Sequence, residues 1–184
     1  WSAVSNGINV GNLFCTADLM APPGADFTMS VSDQSVAYDA SGNASFSTEI
    51  SLIEDASSAG FPNDVAGLSF GIEHNTTYLN AVSIEVAGAV ADIDNGNGPD
   101  FFAGFLETGG MTYGVVFDFP QAIFVQFDSN KVIGIVSYET VAATLQGAGN
   151  VDANLNLTSA TLGNPAVEAT VVIGAFSSLP TFDQ

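Results

Sequence analysis

Hydrophobic and polar positions alternate with a period of two along much of this chain. Phe46, Thr48, Ile50 and Leu52 alternate with Ser45, Ser47, Glu49 and Ser51, the pattern of a strand with one face buried and the other in water. Leu68, Phe70 and Ile72 alternate with Ser69, Gly71 and Glu73 in the same way, and Met111, Tyr113, Val115, Phe117 and Phe119 repeat the pattern over nine residues. Leu155 and Leu157 mark another strand, and Val167, Ala169, Val171 and Ile173 a last one. The run from Val132 to Val141 is apolar on both faces at its start, as a central strand covered on both sides would be.

Polar turn signals separate these runs: residues 39–43 (DASGN), 57–64 (SSAGFPND), 94–100 (DNGNGPD), 107–110 (ETGG) and 128–130 (DSN). No dozen-residue window holds a 3.6-residue period free of glycine or β-branched interruption. Short strands spaced about ten residues apart, joined by polar turns, predict an all-β antiparallel sandwich of about nine strands between residues 27 and 176. Residues 1–25 read differently. Val4, Ile8, Val10, Leu13 and Phe14 make an apolar arm that stops at Pro22-Pro23-Gly24, where the prolines stiffen the chain. This segment is either the first strand of the sandwich or an arm that pairs with the sheet edge of a neighbouring copy. Residues 26–184 are then one sandwich domain.

Composition narrows the functional classes. The 184 residues carry 20 Asp and Glu against one Lys and no Arg, for a net charge of -19, yet 47% are hydrophobic and only 11% charged. Such a surface repels phosphate backbones and anionic headgroups, which argues against nucleic acid and membrane surfaces as partners. The hydrophobic content is too high for a disordered acidic tail. No apolar run is long enough for a transmembrane helix. The chain begins at Trp1 rather than Met, which fits removal of a signal peptide and predicts a secreted or cell-surface protein.

Side-chain chemistry is equally sparse. One His, one Cys and one Lys leave few ways to build an active site, so no enzyme is expected. His74 has no second histidine at metal-binding spacing and reads as a surface or strand-end residue. Cys15, beside Leu13 and Phe14, reads as a buried thiol, and no intrachain disulfide can form. The candidate metal site is the stretch with Asp92, Asp94, Asn95, Asn97 and Asp100, which concentrates side-chain oxygens between glycines as calcium requires. It lacks the spacing of an EF-hand, and a solvated acidic turn is the alternative. Sequons at Asn43, Asn75 and Asn156 are candidate glycosylation sites. Fourteen Phe are expected to fill the core, and the four Tyr lie too far apart in sequence to assemble a flat sugar-binding platform.

The order of motifs resembles the cohesin family of bacterial extracellular β-sandwich modules. Gly67, Phe70, Ile72, His74 and Asn75, with Leu79 after the turn, occupy the places of a family strand-and-turn motif. The segment 100–119 is similar to its middle strands, 132–142 to the strand that follows, and 158–175 to the closing strands. The resemblance covers about residues 27–176. It implies a jelly-roll or cohesin-like fold and a docking, adhesion or assembly role outside the cell. The turn after His74 carries Asn-Thr-Thr where the family has Asp-Pro, and the arm has no counterpart, so no dockerin-binding residues are carried over. The expected function is a structural or surface-assembly subunit that self-associates through strand edges or the arm, as a homo-oligomer or polymer. The lone lysine leaves those edges with little guard against pairing. The alternative is a module that binds a polysaccharide or a surface protein.

Overall fold

The computed structural model describes residues 25–158 and 168–183. The arm residues Val4, Ile8, Val10, Leu13 and Phe14, together with Trp1, Cys15 and Val167, lie outside the described residues. Among the described residues, eleven strands form two sheets: β1 (Phe27–Val31), β2 (Ser45–Glu54), β3 (Val65–His74), β4 (Leu79–Val86), β5 (Phe101–Glu107), β6 (Gly110–Val116), β7 (Lys131–Thr140), β8 (Leu155–Thr158), β9 (Thr170–Ile173), β10 (Phe176–Ser178) and β11 (Thr181–Asp183). Among the described residues, three one-turn helices, α1 (Gly88–Ala91), α2 (Ile93–Gly96) and α3 (Ala142–Leu145), sit in the connections.

Sheet one runs β11-β1-β2-β7-β4, and sheet two runs β10-β9-β3-β6-β5, with β8 on the same edge of β3 as β9. The expected all-β sandwich is therefore what forms, with two more strands than the nine expected. The additional short strands β10 and β11 are three residues each, too brief to show a period. One pair departs from the antiparallel rule: β11 runs parallel to β1, with Thr28 opposite Thr181 and their hydroxyls 3.0 Å apart. The apolar run at 132–141 is a central strand, β7, between β2 and β4, but it is not covered on both sides: Ile135 and Ser137 are half-buried and Glu139 is exposed on its outer face.

The core follows the alternation. Phe27 and Met29 on β1, Ile50 and Leu52 on β2, Leu68, Phe70 and Ile72 on β3, Met111 and Tyr113 on β6, and Val136 on β7 are all buried. Each such large side chain contributes about 1.5–3 kcal/mol by leaving water. The Tyr113 ring stacks on Phe70 at 4.7 Å, and its hydroxyl donates to the Ile133 carbonyl at 2.7 Å, tying β6 to β7 across the sandwich. Burial lifts the pKa of both Tyr113 and Tyr138 well above the ordinary phenol value. The Tyr138 hydroxyl is buried without a hydrogen-bond partner among the described residues.

Two expectations need correction. His74 does end a strand, but it is no surface residue: it is 9% exposed, its ring edge meets Tyr138 at 5.3 Å, and Nδ1 has no hydrogen-bond partner among the described residues. Burial lowers its pKa. The phenylalanines do not all fill the core either. Phe101, Phe105 and Phe119 are 47%, 53% and 66% exposed, because β5 is an edge strand and the chain leaves β6 at Val116, before Phe119.

Candidate functional site

The inward residues of β3 and β6 fix which side chains the same strands turn outward, since neighbours alternate across a sheet. Registers then assemble outward rows across sheet two. Phe101 on β5 lies beside Val116, then Gly67, then Val172. The next row is Ala103, Gly114, Ser69 and Thr170, and the one after it is Phe105, Thr112, Gly71 and Thr158. Glu107, Gly110, Glu73 and Asn156 close the series. The face is thus floored by small residues, with phenylalanines along one margin.

Gly114 stands at the centre of this margin. A β-carbon placed there would meet nothing within 4 Å, so packing does not demand a glycine. Glycine inside a strand is destabilising by roughly 0.5–1 kcal/mol relative to alanine, and it often marks a place where another backbone comes close. The segment that carries exposed Phe119 is held beside β5 by local bonds: the Phe119 N–H donates to Asp100 Oδ2 at 2.9 Å, and the Asp100 N–H donates to the Phe117 carbonyl at 3.1 Å. These bonds hold the segment after β6 against the start of β5. The hairpin between β5 and β6 closes in two residues, Thr108 and Gly109, the latter at φ 86°, a conformation that favours glycine.

Acidic side chains surround the apolar margin: Asp100 and Asp118 at one end, Glu107 and Glu73 at the other, all exposed or half-buried. Among the described residues, no Lys or Arg offsets them. Lys131 lies on β7 of the other sheet, where its ammonium pairs with Asp128 at 2.7 Å and donates to the Gln126 carbonyl at 2.5 Å. That pairing lowers the pKa of Asp128.

The sequence-predicted sites fall elsewhere. Asp92 joins α1 to α2, and Asp94, Asn95 and Gly96 follow in the left-handed region. Asn97 Nδ2 donates to the Asp94 carbonyl and carboxylate, both at 2.9 Å, while the Asp100 carboxylate is engaged by Phe119. Within the acidic stretch Asp94, Asn97 and Asp100 are thus engaged in local hydrogen bonds, and buried Ile93 anchors it. Among the described residues, no three His, Cys, Asp or Glu stand close enough to hold a metal ion. Asn43, Asn75 and Asn156 are all exposed. The Asn43 amide donates to the Asp39 carboxylate, and Asn75 Oδ1 accepts the Thr77 N–H at 2.9 Å. Among the described residues, no helix is long and apolar enough to cross a membrane.

Sequence reasoning missed the outward face of β5 and β6. FFAGFLE places apolar residues on both sides of the strand and shows no alternation. A run of this kind beside a glycine-rich strand was the signal available.

No protein-family model matches the chain, and no curated protein matches it in sequence. Solved structures do match in fold. A type I cohesin–dockerin complex of Clostridium thermocellum, with the OlpC cohesin, aligns at TM-score 0.59 and 7% identity over 89% of this chain and 93% of that one. The sixth cohesin of scaffoldin B from Acetivibrio cellulolyticus, in complex with a Cel5 dockerin mutant, aligns at 0.58 and 12% over 86% and 94%. The second type II cohesin module of the adaptor ScaA scaffoldin from the same organism aligns at 0.57 and 12% over 88% and 94%. The chain has the cohesin-like β-sandwich fold.

Proposed function

We propose that this chain is a non-catalytic docking module of the cell exterior that binds a separate protein through the outward face of β5 and β6. The observation that carries this reading is the exposure of Phe101 and Phe105 on the outward edge of β5, on either side of the row that holds the uncrowded Gly114, with exposed Phe119 just beyond β6. Large aromatic side chains in water are costly when contiguous and mark interaction surfaces. They also supply most binding energy where interfaces have been dissected. An apolar centre inside a rim of Asp100, Glu107 and Asp118 has the layout of a protein interface. Its partner would present an apolar patch ringed by Lys or Arg, since a chain of net charge -19 steers cationic partners. Two of the similar cohesins were captured with dockerin partners, which supports a docking role on this fold.

The test has two parts. Light scattering on the full chain should give a monomer of 18.8 kDa; a multiple of that mass would favour self-association through the arm or strand edges instead. Affinity capture from the secreted proteins of the source organism, repeated with Phe101→Ser/Phe105→Ser, should then lose its partner by about 100-fold or more. Both residues are exposed, so stability should change by less than about 1 kcal/mol. Undiminished capture by the double variant would overturn the assignment of this face.

A further inference from the structure

A cavity of about 500 Å³ opens at the end of the sandwich where β1 finishes and β2, β4 and β8 begin. None of its lining residues lies on β5 or β6; Asn156, at the far end of the last outward row of sheet two, also lines it. Its size lies within the range of small-ligand sites, roughly 300–1,000 Å³. Three aromatic rings line it: Tyr38, Phe46 and Tyr78, all half-buried. Phe46 and Tyr78 pack against the core, and Phe46 stacks on Tyr138 at 5.6 Å. The rings are thus held from behind.

The walls are braced by bonds between distant segments. The Tyr38 hydroxyl donates to the Gly149 carbonyl, joining the loop after β1 to the loop before β8. Thr140 Oγ1 donates to the Gly42 carbonyl at 2.7 Å and accepts the Ala44 N–H at 2.7 Å. Gly42, at φ 89°, lies so close to α3 that a β-carbon would sit 2.5 Å from the Ala142 carbonyl oxygen. Asp39 Oδ1 accepts the N–H groups of Ser41 and Asn43 at 2.8 and 2.9 Å, which fixes the turn of the same loop. By contrast, Asp33, Gln34, Asp152 and Asn154 line the opening with exposed side chains that no hydrogen bond to the described residues engages.

We infer that this cavity is a binding site for a neutral carbohydrate of one or two rings, separate from the docking face. The two aspartates and the net charge of -19 disfavour an anion. A small organic cation would use the carboxylates but leave the amide N–H donors of Gln34 and Asn154 facing a ligand without acceptors. Sugar hydroxyls donate to the carboxylates and accept from the amides, so every free group finds a partner. The sugar's C–H face then covers the aromatic rings, which a small polar ligand would leave wet.

The experiment titrates the full chain with glucose, N-acetylglucosamine, cellobiose and chitobiose, read by saturation-transfer NMR and backbone amide shifts. At least one sugar should bind with a roughly millimolar Kd, moving amides in residues 32–38 and 151–156. Asn154→Ala and Gln34→Ala touch no fold-supporting bond and should each weaken binding about fivefold. Phe101→Ser/Phe105→Ser should bind the sugar unchanged, so failure of the docking face and failure of this cavity are told apart. Silence from all four sugars, shifts confined elsewhere, or indifference to both cavity substitutions would overturn the inference. So would displacement of the sugar by choline or spermidine, which would make the cavity a cation site.

Discussion

The two outer faces of the sandwich are built on the same alternation and end in opposite chemistry. On sheet one, Ser83, Ser137 and Ser47 stand in register across β4, β7 and β2, with the Ser47 and Ser137 hydroxyls 2.9 Å apart. Beside them run Glu85, Ile135 and Glu49, then Asn80, Glu139 and Ser45. On sheet two the corresponding rows hold Gly114 and Gly67 with Phe101 and Phe105. The first face is an ordinary solvated surface. The second exposes aromatic carbon and omits a side chain that nothing crowds, so neither feature follows from the requirements of folding. Inward positions report what the fold needs, and outward positions that violate solubility report what the molecule binds.

Glycine substitution tests that distinction most strongly. Gly134 on β7 faces inward, where a β-carbon would lie 3.0 Å from the Tyr113 ring and 3.1 Å from the Glu85 carbonyl oxygen. Tyr113 is fully buried with its hydroxyl bonded, so it has little room to yield. Gly134→Ala should therefore cost about 1–3 kcal/mol, whereas Gly114→Ala should gain up to about 1 kcal/mol. Denaturant melts of the two variants compare them directly. Equal destabilisation would mean that Gly114 is a folding residue after all.

A pH series separates the interior from both faces. Burial depresses the pKa of His74 below its ordinary value of 6.5, so the unfolded chain takes up that proton first. Stability should be at its full value above pH 6.5 and fall as pH drops below it, by at most about 1.4 kcal/mol per pH unit. His74→Phe should flatten the curve just below pH 6.5; an unchanged slope would show that another group carries it.

The smallest effect belongs to the polar face. Ser137→Ala removes one exposed hydroxyl contact and should move stability by no more than about 0.5 kcal/mol. Partner capture should be untouched, and a loss would move the docking site to sheet one.

Period-two alternation made β2, β3, β6 and β8 legible, because burying one face imposes that period whatever the neighbour is. It did not reveal β10 and β11, which are too short to repeat, nor the parallel pairing of β11 with β1. The candidate metal stretch was visible as a composition, but composition does not say that Asn97 bonds Asp94 and that Phe119 bonds Asp100. The exposed margin stayed hidden because phenylalanine spacing alone does not distinguish an edge strand from a central one.

The sequence alone settled the sandwich architecture and the charge that repels anionic partners, since both rest on local period and on counting. Tertiary structure decided the rest. It buried His74, joined Tyr113 to Ile133, left Gly114 open while enclosing Gly134, and walled a cavity with segments from Val31 to Asn156. Those outcomes depend on which distant residues share a register or a rim, and that is fixed by long-range packing rather than by spacing along the chain.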